Sequence, residues 1–327
     1  MRRVVVVGAG LAGLTCAKTL QAGGCEVVVL EKSRGVGGRL STRRSDLTQY
    51  DHGAQYFTAR DERFIAFIND RLADGSVAVW APRLDVKLAQ TITEPWYVGT
   101  PGMSSLGRAQ AIGLDVRTEV RVQLMSRREG HWQLAMEDGS TLDGFDAVVV
   151  AVPNAQAMPL LAEHAPDWAK MLEQMPMEPC WTVMVSTQAS LTEFDAGLPR
   201  TGAIGWWARN SSKPGRPESS GRHDWVVQAT AAWTQANLDT DKAGVAQALL
   251  QAFALELGVE SIEPTCPPMA HRWLYSRRKP GVAALAEPCF RTELGLGICG
   301  DGLAHSRVEQ AYLSGVQLAQ AILAQSN

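Results

Sequence analysis

The sequence predicts an α/β fold in two parts: a parallel-sheet unit assembled from discontinuous segments, and a second α+β unit on a mixed or antiparallel sheet. Three observations carry this. A β-branched run at residues 3–8 ends on Gly8-Ala9-Gly10-Leu11-Ala12-Gly13 and leads directly into a helical pattern. A second apolar run near the far end closes on Gly300-Asp301-Gly302 and again precedes a helical pattern. Between them, residues 154–290 carry strand-like runs and prolines of a different texture. The length of 327 residues exceeds the roughly 100–200 residues of one domain and suffices for a large core.

Each element follows from its pattern. Residues 3–8 read as a parallel strand buried on both faces. Residues 11–22 place Leu11, Leu14, Ala17 and Leu20 on one helical face and stop at Gly23-Gly24. Residues 26–31 form a second strand, giving β-α-β with a right-handed crossover. Residues 32–60 are rich in glycine and arginine, and 61–73 form a helix striped by Phe64, Ile65, Ile68 and Leu72. Short strands are expected around Trp80, Ile92 and Tyr97, then a turn at 99–102 and a short helix at 104–112. A meander covers 116–125, 131–137 and 140–142, with Asp138-Gly139 as its hairpin turn. Residues 147–152 are a buried strand stopped by Pro153. Strand-like runs at 180–187, 202–209 and 224–232 surround a loop at 211–222. Residues 240–257 form an amphipathic helix closed by Gly258, and the chain returns to a strand at 296–299 and a helix at 307–325. The glycine motifs at both ends make the first domain discontinuous: 1–55, 99–157 and 288–327, with 56–98 and 158–287 in the second.

Composition narrows the partners. The apolar fraction of 46%, the charged fraction of 20% and the net charge of −3 describe a globular protein, not a disordered chain or a bulk polyanion binder, so no nucleic-acid partner is expected. Six scattered cysteines, with no CxxC pair, imply a reduced, cytoplasmic protein without a metal site. Arg2, Arg3 and the following valines are read as a strand and not a leader, because Gly8, Gly10 and Gly13 interrupt the run at once. No uncharged apolar run reaches the ~18 residues of a membrane span.

The motifs point to a dinucleotide. The glycines at 8, 10 and 13 allow a tight turn and close approach of the backbone to a pyrophosphate on the helix N-terminus, as in Rossmann-type domains. Glu31 ends the second strand, where a carboxylate accepts ribose hydroxyls. Residues 32–44 then hold Lys32, Arg34, Arg39, Arg43 and Arg44, a second glycine turn at Gly37-Gly38, and no acid. A plain NAD domain has no need of such an arm, whereas a longer, buried FAD uses its forked donors. Gln55 and Tyr56 sit in a small-residue and aromatic stretch suited to the flavin edge. Gly300, Asp301 and the helix opening at Val308 form a further clamp, with Asp301 placed to accept from ribityl hydroxyls and the helix N-terminus to face the flavin N1–C2=O edge.

These residues resemble the flavin-containing amine oxidase superfamily through GAGLAG, Glu31, the GxGGR loop, the GTPGM turn at 99–103, the Ala-Val-Pro at 151–153 and the terminal GDG…RVE. KSRGVGGR, DHGAQYFTARD, WWARNSSKPGR, AHRWLYS and GDGLAHSRVEQAYLSG are more narrowly similar to bacterial renalases. The resemblance implies a p-hydroxybenzoate-hydroxylase-like fold. It also implies non-covalent FAD touching Leu11, Ala12, Glu31, Lys32, Arg39, Gln55, Tyr56, Val120, Asp301 and Val308. The implied reaction oxidises 2- or 6-dihydro isomers of NAD(P)H to NAD(P)+, with O2 reduced to H2O2.

Such a reaction needs two stacked rings and no acid–base dyad, so no catalytic residue is expected. Tyr56, Trp96, Tyr97, Trp181, Trp206 and Trp207 are candidates for the stacking wall, and His271 and Arg272 for orienting the substrate. Arg209, Lys213, Arg216 and Arg222 read as a basic loop at the cleft mouth. The main alternative is oxidation of primary or secondary amines, where a lysine commonly holds a water near the flavin; no lysine motif of that kind stands out in this chain, which leaves only Lys87 or Lys170 open for the role. A flavoprotein holding FAD for structure, or a desaturase on lipophilic substrates, are further classes. Bleaching of the flavin by reductants tests the former. The charges interleaved at Glu163, His164, Asp167 and Lys170 argue against the latter.

Overall fold

Valine sets the first sheet. Val4 and Val6 point to one face and Val5 and Val7 to the other, and all four are buried, so this strand has to lie inside a sheet covered on both sides. In the computed structural model, which describes residues 2–45, 48–85, 93–199, 202–217, 221–285 and 289–325, it does. In chain order the strands are β1 (Arg3–Val7), β2 (Glu26–Glu31), β3 (Thr42–Arg44), β4 (Gln49–Asp51), β5 (Val77–Trp80), β6 (Trp96–Gly99), β7 (Asp115–Thr118), β8 (Val122–Arg128) and β9 (His131–Met136). They continue as β10 (Thr141–Phe145), β11 (Ala147–Val150), β12 (Met177–Thr187), β13 (Ala196–Gly197), β14 (Ile204–Arg209), β15 (His223–Ala229), β16 (Met269–Arg278), β17 (Cys289–Arg291) and β18 (Leu296–Ile298).

A six-stranded sheet runs β17-β18-β11-β1-β2-β7, parallel except at the β17–β18 edge. Its strands come from the two ends and the centre of the chain, the discontinuity expected from the glycine motifs. One face packs on the first helix, Leu11–Ala22, and the last, Val308–Leu323. These two helices meet closely: a Cβ at Gly315 would lie 2.3 Å from the Ala12 carbonyl oxygen. The other face packs on the β10-β9-β8 meander and the helices Asn154–Leu161 and Pro166–Glu173.

The second sheet is antiparallel, in the order β13-β14-β15-β12-β16. Helix Lys242–Leu257 covers its outer face through Val245, Leu249 and Phe253. That helix starts on Asp241, whose side chain accepts from the Ala243 and Gly244 amides, and stops at Gly258 as the pattern predicts.

Several boundaries differ from the sequence reading. The 116–125 run divides into β7 and β8 at Glu119, whose φ is +60°. The 224–232 run ends at Ala229, because Thr230 caps a short helix, Ala231–Ala236. The proline-marked stretch after 153 is helical, with Pro166 at a helix start, where a missing N–H costs nothing. The expected strand at Ile92, the candidate Lys87, the domain boundary at 288 and part of the 211–222 loop lie outside the described residues. Among the described residues, no helix is long and apolar enough to cross a membrane.

Candidate active site

The two sheets enclose a cleft of about 2280 Å³ that begins at the carboxyl ends of β1, β2 and β11 and extends to β14–β16. Pockets for one small molecule are roughly 300–1,000 Å³, so this cleft has room for an extended cofactor and a second ring.

The nucleotide end is built on backbone. Gly8 has φ +109°, and a Cβ there would lie 2.6 Å from the Ala151 carbonyl oxygen. A Cβ at Gly13 would lie 2.0 Å from the Gly8 carbonyl oxygen, so only glycine lets the helix close onto the strand. Gly10 faces open space and caps the first helix without a side-chain bond, leaving its first N–H groups to the cleft. The Gly37 amide donates to the Ala9 carbonyl at 2.8 Å, locking the second glycine turn, including Gly38, beside the first. Glu31 is buried; its two oxygens accept from the Ala9 and Ser33 amides at 2.8 Å. Val120 closes this end and donates its amide to the Glu31 carbonyl at 2.9 Å. Lys32 donates to the Gln156 side chain at 2.9 Å, and burial, with Arg121 adding, pulls its ammonium below the usual lysine range.

Arg39 and Asp301, expected as separate cofactor contacts, are joined to each other. The guanidinium forks onto the carboxylate at 2.5 and 3.1 Å and also donates to the Ser276 carbonyl at 3.1 Å. The pair ties the arginine arm to the Gly300 turn, where the last helix begins at Val308 without a side-chain cap.

The other end is aromatic. Tyr56 stacks on Trp96 with centroids 3.8 Å apart and planes 13° off parallel, and both pack on Trp206. Behind them Trp80 packs on Trp96. The floor is one cross-strand row: Trp206 opposite Gln228, Gln228 opposite Thr182, and Thr182 opposite His271. Strand side chains alternate faces, so the neighbours of this row must point away. Trp181 therefore lies in the core under helix Lys242–Leu257, its indole donating to the Asn237 carbonyl at 2.9 Å. It forms no part of the cleft wall, contrary to expectation, and neither does Trp207. Arg272 reaches the rim, but its guanidinium donates to the Leu238 carbonyl and covers Trp181.

His271 meets His52 edge-on at 4.8 Å, and both pack on Trp273. Burial pushes each imidazole down to about 4; His271 and Arg43 add to this at His52, and Arg43 and Lys242 at His271. Both rings are thus neutral near pH 7. Gln228 escaped the sequence reading, and His52 and Trp273 stood within its motifs without a role of their own. The His-x-Trp spacing at 271–273 was the one local sign, since residues two apart in a strand share a face.

Three of the four cations read as a basic cleft mouth, Arg209, Lys213 and Arg216, are instead buried, and all four are paired. Arg209 bonds Asp195, and Lys213 and Arg216 bond Asp51. Arg222 contacts Asp224. Lys170 is exposed on helix Pro166–Glu173 and does not line the cleft. Cys299 is buried in the core and also does not line it.

Residues 6–71 match the NAD(P)-binding Rossmann-like domain, and residues 80–323 match the flavin containing amine oxidoreductases. The chain belongs to the flavin-containing amine oxidoreductase family. Among curated relatives, an L-amino acid oxidase of Cerastes cerastes is 56% identical over 45 residues, 14% of this chain and 9% of that protein. Lysine-specific histone demethylase 1 homolog 3 of Arabidopsis thaliana is 43% identical over 79 residues, 24% of this chain and 5% of that protein. The match thus spans less than a tenth of either relative. Cyclohexylamine oxidase from Brevibacterium oxydans IH-35A has the same fold, with TM-score 0.77, 15% identity and 99% of both chains covered. So does putrescine oxidase bound to putrescine, with TM-score 0.72, 15% identity and 99% of both chains covered.

The family is one of flavin-containing oxidoreductases, and the residues present fit FAD. Two helix N-termini without side-chain caps open on the cleft. A Cβ at Gly10 would meet nothing within 4 Å. His52 Nδ1 and Trp206 Nε1 are buried without a partner in the protein, which is unfavourable unless a ligand supplies one.

Proposed function

We propose that the enzyme oxidises a dihydropyridine dinucleotide, a 2- or 6-dihydro isomer of NAD(P)H, to NAD(P)+, with O2 reduced to H2O2. The charge inventory of the cleft carries this reading. Each carboxylate in its lining is already committed: Glu31 to two amides, Glu94 to Arg60, Glu137 to Arg121 and Asp301 to Arg39. Arg34, Arg43, Arg44 and Arg307 line the same cleft with no carboxylate partner among the described residues. Four such cations exceed what the two phosphates of FAD neutralise, so the surface attracts a second ligand with phosphates and offers no free carboxylate to an ammonium group.

FAD, when bound, supplies a two-electron acceptor that O2 reoxidises. The protein's own part is placement. The stacked Tyr56 and Trp96, with Trp206 tilted beside them, give an aromatic wall for a ring, and neutral His52 and His271 with Gln228 give a polar floor without a charge to stabilise the substrate before it reacts. Reacting atoms held about 3–3.5 Å apart need no further acid or base, because a dihydropyridine that gives up a hydride becomes an aromatic cation. We assign the FAD contacts to the nucleotide end and the substrate contacts to Tyr56, Trp96, Trp206 and His271. FAD is bound without a covalent link, so acid precipitation is expected to leave the yellow colour in solution. We further propose the two-domain division at the boundaries given above.

A second reading is oxidation of primary or secondary amines. It is favoured by the names of the structural neighbours, cyclohexylamine and putrescine oxidases, and an aromatic wall suits a neutral amine. Anaerobic mixing of the yellow enzyme with borohydride-reduced NAD isomers, or with cyclohexylamine or putrescine, separates the two. Fast bleaching by the isomers supports the dinucleotide reading, and fast bleaching by amines alone overturns it.

A further inference from the structure

Behind the cleft wall lies a buried charge cluster that the functional reading leaves unused. Asp51 is fully buried and accepts from Thr42 Oγ1 at 2.9 Å, from the Met103 amide at 2.8 Å, from Arg216, and from Lys213 Nζ at 3.4 Å. The side chains of Lys213 and Arg216 are 0% and 1% exposed. Two cations thus share one carboxylate, and among the described residues no second acid bonds either of them. Arg216 spends its other donors on the Gly99 and Pro214 carbonyls at 2.7 Å, and its Nε has no partner. A net positive charge sealed from water is costly unless something negative sits nearby.

The surplus faces the cleft through one layer of side chains. Lys213 Nζ donates to Gln55 Oε1 at 3.1 Å, and Gln55 lines the cleft. The same ammonium lies 5.4 Å from the Trp80 ring, which packs on Trp96 of the Tyr56 wall. Gln55 is held on its other side by the Asp51 and Gly53 carbonyls. Lys213 itself does not line the cleft, so it acts through its field and through Gln55 and not by touching a ligand. Burial, partly offset by Asp51, pulls its ammonium down to about 8, as expected where negative charge is short.

We propose that Lys213 is a positioning residue whose buried positive charge, one side-chain layer behind Gln55 and the Tyr56–Trp96 wall, favours the reduced state of the bound FAD. Reduction by two electrons and one proton leaves the flavin with one negative charge, which is the missing counter-charge of the cluster. A unit charge at this depth is poorly screened, and it shifts an equilibrium that creates an opposite charge by tenfold or more. The inference rests on the FAD and is independent of which substrate reduces it.

The test is the reduction equilibrium of the purified holoenzyme against a reference dye without oxygen, a readout that needs no substrate. Lys213→Met leaves Asp51 and Arg216 as a balanced pair. It is expected to shift the equilibrium at least tenfold toward oxidised FAD, about 30 mV for a two-electron couple. Lys213→Arg keeps the charge and is expected to restore most of it. If Lys213→Met releases FAD, Lys213→Gln takes its place, with a donor toward Gln55 but no charge. A shift below threefold in the neutral variants, or an equal loss in Lys213→Arg, overturns the proposal. FAD retained by Lys213→Arg but by neither neutral variant again ties the site to charge. Loss of FAD from all three assigns Lys213 to folding and overturns it.

Discussion

Gly315→Ala sets two effects of opposite sign against each other. Gly315 lies inside the last helix, where alanine is favoured over glycine by about 1 kcal/mol. The new Cβ, however, would stand 2.3 Å from the Ala12 carbonyl oxygen and 3.0 Å from the Cys16 amide nitrogen of the first helix. Both obstacles are backbone, so no rotamer change relieves them, and the helices must part. Overpacking a tight contact costs about 1–3 kcal/mol, and a clash with rigid backbone belongs at or above the upper end. The net effect is a loss of about 2 kcal/mol, or a Tm lower by about 3 °C in a protein of this size. Both helices open on the cleft, so FAD should also leave earlier on heating. Differential scanning calorimetry with flavin fluorescence reads both. An unchanged or raised Tm would refute the steric argument and leave propensity in control.

Three other outcomes are expected. Arg39→Ala, which strips Asp301 of its forked partner, should weaken FAD retention at least tenfold in ultrafiltration; full retention would remove the pair from the cofactor site. Trp96→Ala, at a site 3% exposed, should cost roughly 3–5 kcal/mol and raise KM for the ring substrate, whereas Trp181→Phe should alter stability with KM unchanged; a KM change in the latter would mean Trp181 reaches the cleft. Acid should destabilise the fold through His52 and His271. Their folded values, about 4, lie below the ordinary 6.5, so between these limits the unfolded chain binds more protons and stability rises with pH. For His52 alone the loss by pH 4 is about 3 kcal/mol, and a His52→Phe variant that keeps the wild-type pH profile of urea unfolding would contradict it.

Much of the nucleotide end was legible in the chain. The glycine turn at 8–13, Glu31 at the end of β2 and the turn at 300–302 are each fixed within a few residues, by steric limits that act locally. The wall and floor were less so. Tyr56, Trp96 and Trp206 were named, and the structure packs them together, the first two stacked and Trp206 tilted against both. Trp181 was named with them and lies on the other face, because the sequence shows that a strand alternates but not which of its faces meets the cleft. Helices after Pro153 went unseen for a related reason, since prolines at 159 and 166 obscure a pattern that packing on the first sheet sustains.

The sequence alone therefore determined what is local: the βαβ start, the helix stops, and the residue types a dinucleotide requires. Only the tertiary structure decided which charge meets which. Arg39 with Asp301, and Lys213 with Asp51, are separated by 262 and 162 positions. A guanidinium in a loop of glycines and an ammonium in a loop of serines read alike, as solvated cations. Burial and a carboxylate brought from a distant strand or turn make one a clamp across the cofactor cleft and the other a charge sealed behind it.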